Sequence, residues 1–409
     1  MLVSNIKQLF PVLEPPAERI AGAQMKEMKC LEQSWLEIRD GMIHDYGSMD
    51  TVPVGIRETI DASGRLVMPA FCDSHTHLVY AGSREKEFVD RIKGLSYEEI
   101  AMRGGGILHS ARLLQQTSEQ ELYEQSMTRV NEIMSCGTGA AEIKSGYGLE
   151  TEAELKMLRV IRRIASSSPL TVKATFLGAH AVPGPFRNNP DGYVNLLVRE
   201  MIPAVGKEKL ADFIDVFCDK GFFTPAQTGR ILEAAARYGM VPKIHANELG
   251  LTGGVQEGVK QNALSVDHLE HTGDDEIQAL LSSRTIPTLL PGASFFLGLP
   301  YAPARRMIDA GLPVALASDY NPGSSPSGNM QFIMSLGCIQ MKMLPEEAIW
   351  ATTLNGAYAM GISHLLGSIT RGKIANLIIT TPAAGYELLP YSYGNNKIEK
   401  IILNGKIIQ

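Results

Sequence analysis

The sequence predicts an α/β protein, a (β/α)8 TIM-type barrel with a small β-sandwich domain formed by both chain termini. Three observations predict it. Eight short β-branched runs alternate with amphipathic stretches through the middle of the chain. The span they occupy exceeds the roughly 250 residues usual for such a barrel, which leaves room for extended loops. The two ends carry short alternating segments, each too small to bury a core alone.

The strand-like runs are residues 67–71, 139–143, 172–177, 213–217, 242–244, 264–266, 286–290 and 313–317. Helical spacing of apolar residues falls between them, at 118–135, 152–166, 224–238 and 303–310. The N-terminal part contains Ser34-Trp35-Leu36-Glu37-Ile38-Arg39-Asp40-Gly41, which alternates in the manner of a half-buried strand. The C-terminal part repeats that texture at 375–380 and 398–405. The expected division is therefore a composite sandwich of residues 1–66 and 367–409 beside a barrel of residues 67–366.

Composition narrows the function. Of 409 residues, 44 are acidic and 38 basic, net −6, with no dense Lys/Arg block, which argues against nucleic acid and anionic membranes as partners. The five cysteines, Cys30, Cys72, Cys136, Cys218 and Cys338, are dispersed and show no Cys-x-x-Cys spacing. Neither a disulfide framework nor a thiolate metal knuckle is indicated. The start of the chain lacks a basic segment followed by an apolar one, and no run of 18 apolar residues exists. A cytoplasmic protein is expected.

In barrel enzymes the chemistry sits at the C-terminal ends of the strands. The first run leads into His75-Thr76-His77, and residues two apart in a strand face the same way, so both imidazoles converge. Alone, that pair reads equally well as two solvated loop histidines. Five of the nine histidines, however, fall at expected strand ends: His75, His77, His180, His245 and His268. Asp319 stands at the end of the eighth run. The imidazoles of His75, His77 and His245 with the Asp319 carboxylate make a set that leaves a coordination position for water, the mark of a catalytic metal site. One divalent metal per chain is expected, Zn2+ or Fe2+/Fe3+, between which the ligand types do not choose. His44, His109, His271 and His364 read as solvated or structural.

Several segments together resemble the amidohydrolase superfamily and, within it, the imidazolonepropionases. They are His75-Thr76-His77-Leu78 with Gly82-Ser83-Arg84-Glu85, Arg103-Gly104-Gly105-Gly106-Ile107, and Glu142-Ile143-Lys144-Ser145-Gly146-Tyr147-Gly148-Leu149. Further on come Phe176-Leu177-Gly178-Ala179-His180, Lys243-Ile244-His245-Ala246-Asn247-Glu248, Asp267-His268-Leu269 and Ser318-Asp319-Tyr320-Asn321-Pro322-Gly323-Ser324. His-x-His marks only the superfamily; the Lys-Ser-Gly-Tyr-Gly and Asp-Tyr-Asn-Pro-Gly-Ser segments are more specific.

The resemblance implies hydrolysis of a cyclic amide C–N bond, in 4-imidazolone-5-propanoate, giving N-formimidoyl-L-glutamate in histidine degradation. It assigns catalytic roles to Glu248, His268 and Asp319. Glu248 would bind the ring and move a proton toward the leaving nitrogen. His268 would hydrogen-bond the carbonyl oxygen as it gains charge, worth ~3 kcal/mol by analogy with oxyanion donors. Arg84 would grip the propanoate bidentately. Tyr147, His180 and Ser324 match the family's other substrate contacts, and Asn321 and Gly323 its product contacts. A homodimer is compatible with the resemblance.

Cys72, Ser74 and Asn376 depart from the family's commoner residues without removing a ligand. Lys220, where some superfamily members carry a carbamylated lysine bridging two metals, reads as structural. The glycines at 104–106 and 253–254 precede no Lys-Ser/Thr, which argues against a phosphate loop. Two other functions remain open: a mononuclear deaminase acting on a nucleobase-like substrate, and a noncatalytic scaffold barrel. A nucleobase has no carboxylate for Arg84 to hold, and a scaffold predicts missing ligands.

Overall fold

A computed structural model describes residues 1–95, 99, 103 and 105–409. Gly104 of the Arg103–Ile107 motif lies outside the described residues. The central sheet has eight parallel strands in sequential order: Phe71–Thr76, Thr138–Lys144, Thr171–Ala179, Phe213–Cys218, Val241–Ala246, Ser265–His268, Ile286–Leu289 and Ala315–Leu316. These become barrel strands one to eight. Helices such as Glu119–Ser135, Thr151–Ser167 and Pro225–Ala236 return the chain between them. Glu119–Ser135 buries Leu122, Ser126, Val130 and Ile133, one stripe at helical spacing. Ser118 caps it by accepting the Glu121 N–H, and Thr224 with Gln227 closes a capping box on Pro225–Ala236.

The ring closes beyond the end of strand eight. Thr76 and Tyr320 form a parallel bridge; the Asp319 N–H donates to the His75 carbonyl (3.0 Å) and the His77 N–H to the Tyr320 carbonyl (2.9 Å). Barrel closure and the convergence of the His-x-His pair with Asp319 are thus one set of backbone bonds.

The expected first strand, 67–71, is two strands. Leu66–Pro69 belongs to the terminal sheet, antiparallel to Leu377–Thr380 and parallel to Leu2–Val12. The partner changes within two residues: Ala70 N–H donates to Asn376 and Phe71 N–H to Gly137 (2.8 and 2.9 Å). Every residue from Leu66 to Tyr80 is buried, so no change of periodicity marks the switch in the sequence. In consequence His75 lies inside its strand rather than beyond it. Strand eight is likewise shorter than expected, Ala315–Leu316 instead of 313–317.

Both termini build one mixed eight-stranded sheet. Its order runs Lys406–Ile407, Ile398–Leu403, Leu377–Thr380, Leu66–Pro69, Leu2–Val12, Lys29–Arg39, Met42–Ser48, with Thr59–Asp61 added beside Leu2–Val12. Val3, Ile6, Leu36, Ile43, Ile60, Leu377 and Ile402 come from strands across this sheet, yet share one buried cluster separate from the barrel's. The chain ends therefore enclose a core together that neither could form alone. Cys72 and Cys218 are buried, and burial pushes their thiols up to about 12 and about 11, far from reactive thiolates. Among the described residues no helix is long and apolar enough to cross a membrane.

Candidate active site

Strands one, five and eight deliver the core of the site. His75 Nε2 and His77 Nε2 each lie 3.5 Å from Asp319 Oδ1. The His245 ring centroid is 4.4 Å from that of His75 and 5.5 Å from that of His77. One ligand atom from each of His75, His77 and His245 falls within 4.8 Å of the others, and the same holds for His75, His268 and Asp319. All five side chains are buried. Asp319 turns into the site through a left-handed backbone (φ +53°), and its Oδ2 accepts from Ser324 Oγ at 3.2 Å.

These residues fit a divalent metal. His75 Nε2 and His245 Nε2 are buried nitrogens with no hydrogen-bond partner among the described residues, an arrangement that is costly unless a ligand uses the lone pairs. Burial, reinforced by neighbouring imidazoles and Lys144, pushes His75 and His77 well below the ordinary histidine range, and burial lowers His245. Neutral imidazoles are what a metal requires. Burial raises the Asp319 carboxyl to about 7, against the pull of His268 and hydrogen bonds from Asn321 and Ser324.

Beneath the ligands the barrel interior is charged. His75 Nδ1 meets Asp267 Oδ2 at 2.7 Å, which directs the other ring nitrogen into the site. Asp215 Oδ1 accepts from the His245 N–H (3.1 Å), and its Oδ2 lies 2.9 Å from His245 Nδ1. Lys144 joins these carboxylates, reaching Asp215 at 2.8 Å, Glu142 at 2.5 Å and Asp267 at 3.7 Å. Lys243 bonds Glu142 and the Ser74 carbonyl (3.0 Å) and lies 3.8 Å from Asp267. Each of these five side chains is fully buried. The sequence reading missed Glu142, Asp215, Lys243 and Asp267 as members of one cluster. The available signal was charge inside apolar strand runs, where only paired groups survive burial.

His268 sits between two carboxylates, Nε2 at 3.7 Å from Glu248 Oε2 and Nδ1 at 3.3 Å from Glu270 Oε1. Burial opposes its imidazolium, but Glu248 and Glu270 prevail and hold it well above the usual histidine value. Burial likewise raises the Glu248 carboxyl. His268 and Leu269 are consecutive left-handed residues (φ +85° and +69°), a strained turn of the kind found where side chains must be aimed. Asp219 Oδ2 accepts the backbone N–H groups of Glu248 (2.7 Å) and Leu249 (3.0 Å), holding the loop that presents Glu248. Glu270 and Asp219 are further residues the sequence did not single out.

The remaining candidates ring this centre. His180 stacks on His77 with centroids 5.2 Å apart, and Tyr147 lies 5.3 Å from His180 and 6.0 Å from His77. Asn321 binds its own loop: its amide nitrogen donates to the Asp319 carbonyl and Ser324 Oγ, and its oxygen accepts from Gly323 and Ser324. Arg84 donates to Glu87 through Nε (2.9 Å) and Nη2 (2.7 Å). Its Nη1 packs so closely on Gly323 that a Cβ there would lie 2.3 Å away. A side chain at position 323 would have to displace the guanidinium from beside the Asp319 loop. Lys220 is exposed.

Comparison with known proteins agrees with this architecture. Residues 66–408 match the model of the amidohydrolase family. The chain belongs to the amidohydrolase family. Among curated amidohydrolase relatives, the imidazolonepropionase of Flavobacterium johnsoniae is 54% identical over 408 residues, covering 100% of this chain and 99% of the relative. That of Geobacillus thermodenitrificans is 42% identical over 414 residues, covering 100% and 97%. A solved 5-methylcytosine deaminase from Klebsiella pneumoniae shares the fold, with TM-score 0.75, 17% identity and coverage of 100% and 98%.

Proposed function

We propose that this amidohydrolase hydrolyses the cyclic amide C–N bond of 4-imidazolone-5-propanoate to N-formimidoyl-L-glutamate, in histidine degradation. Kinship with imidazolonepropionases over the whole chain supports the reading. The observation in the site that carries it is Arg84 seated against Gly323, a loop turn away from Asp319. A guanidinium there suits a substrate with a carboxylate tail and has no counterpart to hold on a nucleobase.

His75, His77, His245 and Asp319 would hold one ion, zinc or iron. When bound, such an ion supplies Lewis acidity that brings the pKa of water to about 7. The chain's own groups then do the rest. Arg84 holds the propanoate, while Tyr147, His180 and Ser324 border the ring. His268, charged and aimed by its two carboxylates, donates to the carbonyl oxygen as the attacked carbon becomes tetrahedral. Asp319 accepts the proton of the attacking water. Glu248 takes up a proton released by the attack and delivers it to the ring nitrogen as the C–N bond breaks. Asn321 and Gly323 line the product's side. The reading carries with it a small-molecule partner and a cytoplasmic location.

The test is turnover of freshly generated 4-imidazolone-5-propanoate, followed by loss of its ultraviolet absorbance, with metal analysis on the same sample. Loss that chelation abolishes supports the reading, and the analysis chooses zinc or iron. An inert, metal-loaded protein rejects it and favours a nucleobase-type substrate. Glu248→Gln is expected to lower kcat by about 10²- to 10⁴-fold at unchanged metal content, the usual worth of a positioned proton carrier. Full turnover by that variant would remove Glu248 from the role.

A further inference from the structure

Glu154 lies in the first turns of the Thr151–Ser167 helix, is 1% exposed, and is turned back toward the end of barrel strand two. Its Oε2 accepts the Gly146 N–H at 3.0 Å; its Oε1 accepts the N–H groups of Gly148 and Leu149 at 2.7 and 2.9 Å. Three of the four amides from Gly146 to Leu149 thus converge on one carboxylate. The remaining one belongs to Tyr147, the residue whose ring faces His77 and His180.

The loop can wrap the carboxylate only with an unusual backbone. Gly146 and Leu149 are left-handed (φ +110° and +55°), and a Cβ on Gly148 would lie 2.5 Å from the Glu154 nitrogen. The same turn sets a second side chain. The Gly146 carbonyl lies 3.0 Å from His180 Nδ1, which places the proton on that nitrogen and turns the other toward the site.

Resting on the proposed hydrolysis, we propose that Glu154 is a positioning residue for substrate recognition: by gathering the Gly146, Gly148 and Leu149 amides it aims both Tyr147 and His180 at the substrate. It acts through the loop and touches no reacting atom. A Gln in its place keeps the size but sets an NH2 group against backbone N–H groups, so at least one of the three bonds is replaced by donor–donor repulsion.

The Glu154→Gln variant is expected to lose roughly 10²-fold in kcat/KM, carried by KM rather than kcat, with metal content as in the wild type. In a Tyr147→Phe/His180→Ala background the same change should cost about twofold or less, because its targets are already gone. An unchanged KM, or full additivity in that background, overturns the proposal. Hydrogen exchange on the wild-type protein tests the clamp without any variant. Slow exchange at Gly146, Gly148 and Leu149 is expected, and fast exchange refutes it even if the Gln variant does not fold. Wild-type turnover in the same assay judges the substrate assignment separately: an inert wild type sinks that reading, while the exchange measurement still decides the clamp.

Discussion

Asp319→Asn is expected to abolish turnover, lowering kcat/KM by roughly 10³-fold or more and removing bound metal with it, since the ion's contribution is several kcal/mol. The substitution keeps the shape of a buried side chain whose backbone bonds close the barrel, so the fold should survive. What changes is the atom 3.5 Å from both His75 Nε2 and His77 Nε2. A carboxylate there completes a ligand set and accepts a proton; an amide does neither well, because its NH2 faces either the two imidazoles or the Ser324 hydroxyl that donates to Oδ2. Metal analysis and steady-state kinetics on one preparation check it. Wild-type activity in the Asn variant would rule out Asp319 as ligand and base together.

The second large effect concerns stability. Lys144→Met should destabilise the protein by about 3–5 kcal/mol, the cost of breaking a buried ion pair by removing one partner. Lys144 has no exposed side-chain area and lies among Glu142, Asp215 and Asp267; these carboxylates overcome burial and hold its pKa above the ordinary lysine value. Without it, Glu142 and Lys243 still pair, but Asp215 is left buried against the neutral His245 imidazole. Metal affinity should weaken as well, by about 10- to 100-fold, because Asp215 and Asp267 orient His245 and His75. Denaturant unfolding of wild type and variant, each metal-stripped and metal-loaded, separates the two effects. A loss under about 1 kcal/mol in the stripped proteins would mean that the cluster does not behave as an ion network, since that is the range of exposed pairs.

The barrel and the convergence of His75, His77, His245 and Asp319 were legible in the residues alone, for a local reason. Strand and helix periods show within a dozen residues, and a barrel sends every strand end to one face, so counting runs locates the site without knowing any contact. Arg84, Tyr147, His180 and Glu248 entered through motif resemblance, which carries positions but not partners. The folded chain decided the rest. The switch from Pro69 to Phe71 between two sheets left no trace in an unbroken apolar run. The pairing of Lys144 and Lys243 with carboxylates from strands two, four and six, and the flanking of His268 by Glu248 and Glu270, join residues between 2 and 123 positions apart. Such charges look alike in sequence whether solvated or buried. Only strand register and burial determine which of them meet, and in a low-dielectric interior that meeting sets their charge, their geometry and their use.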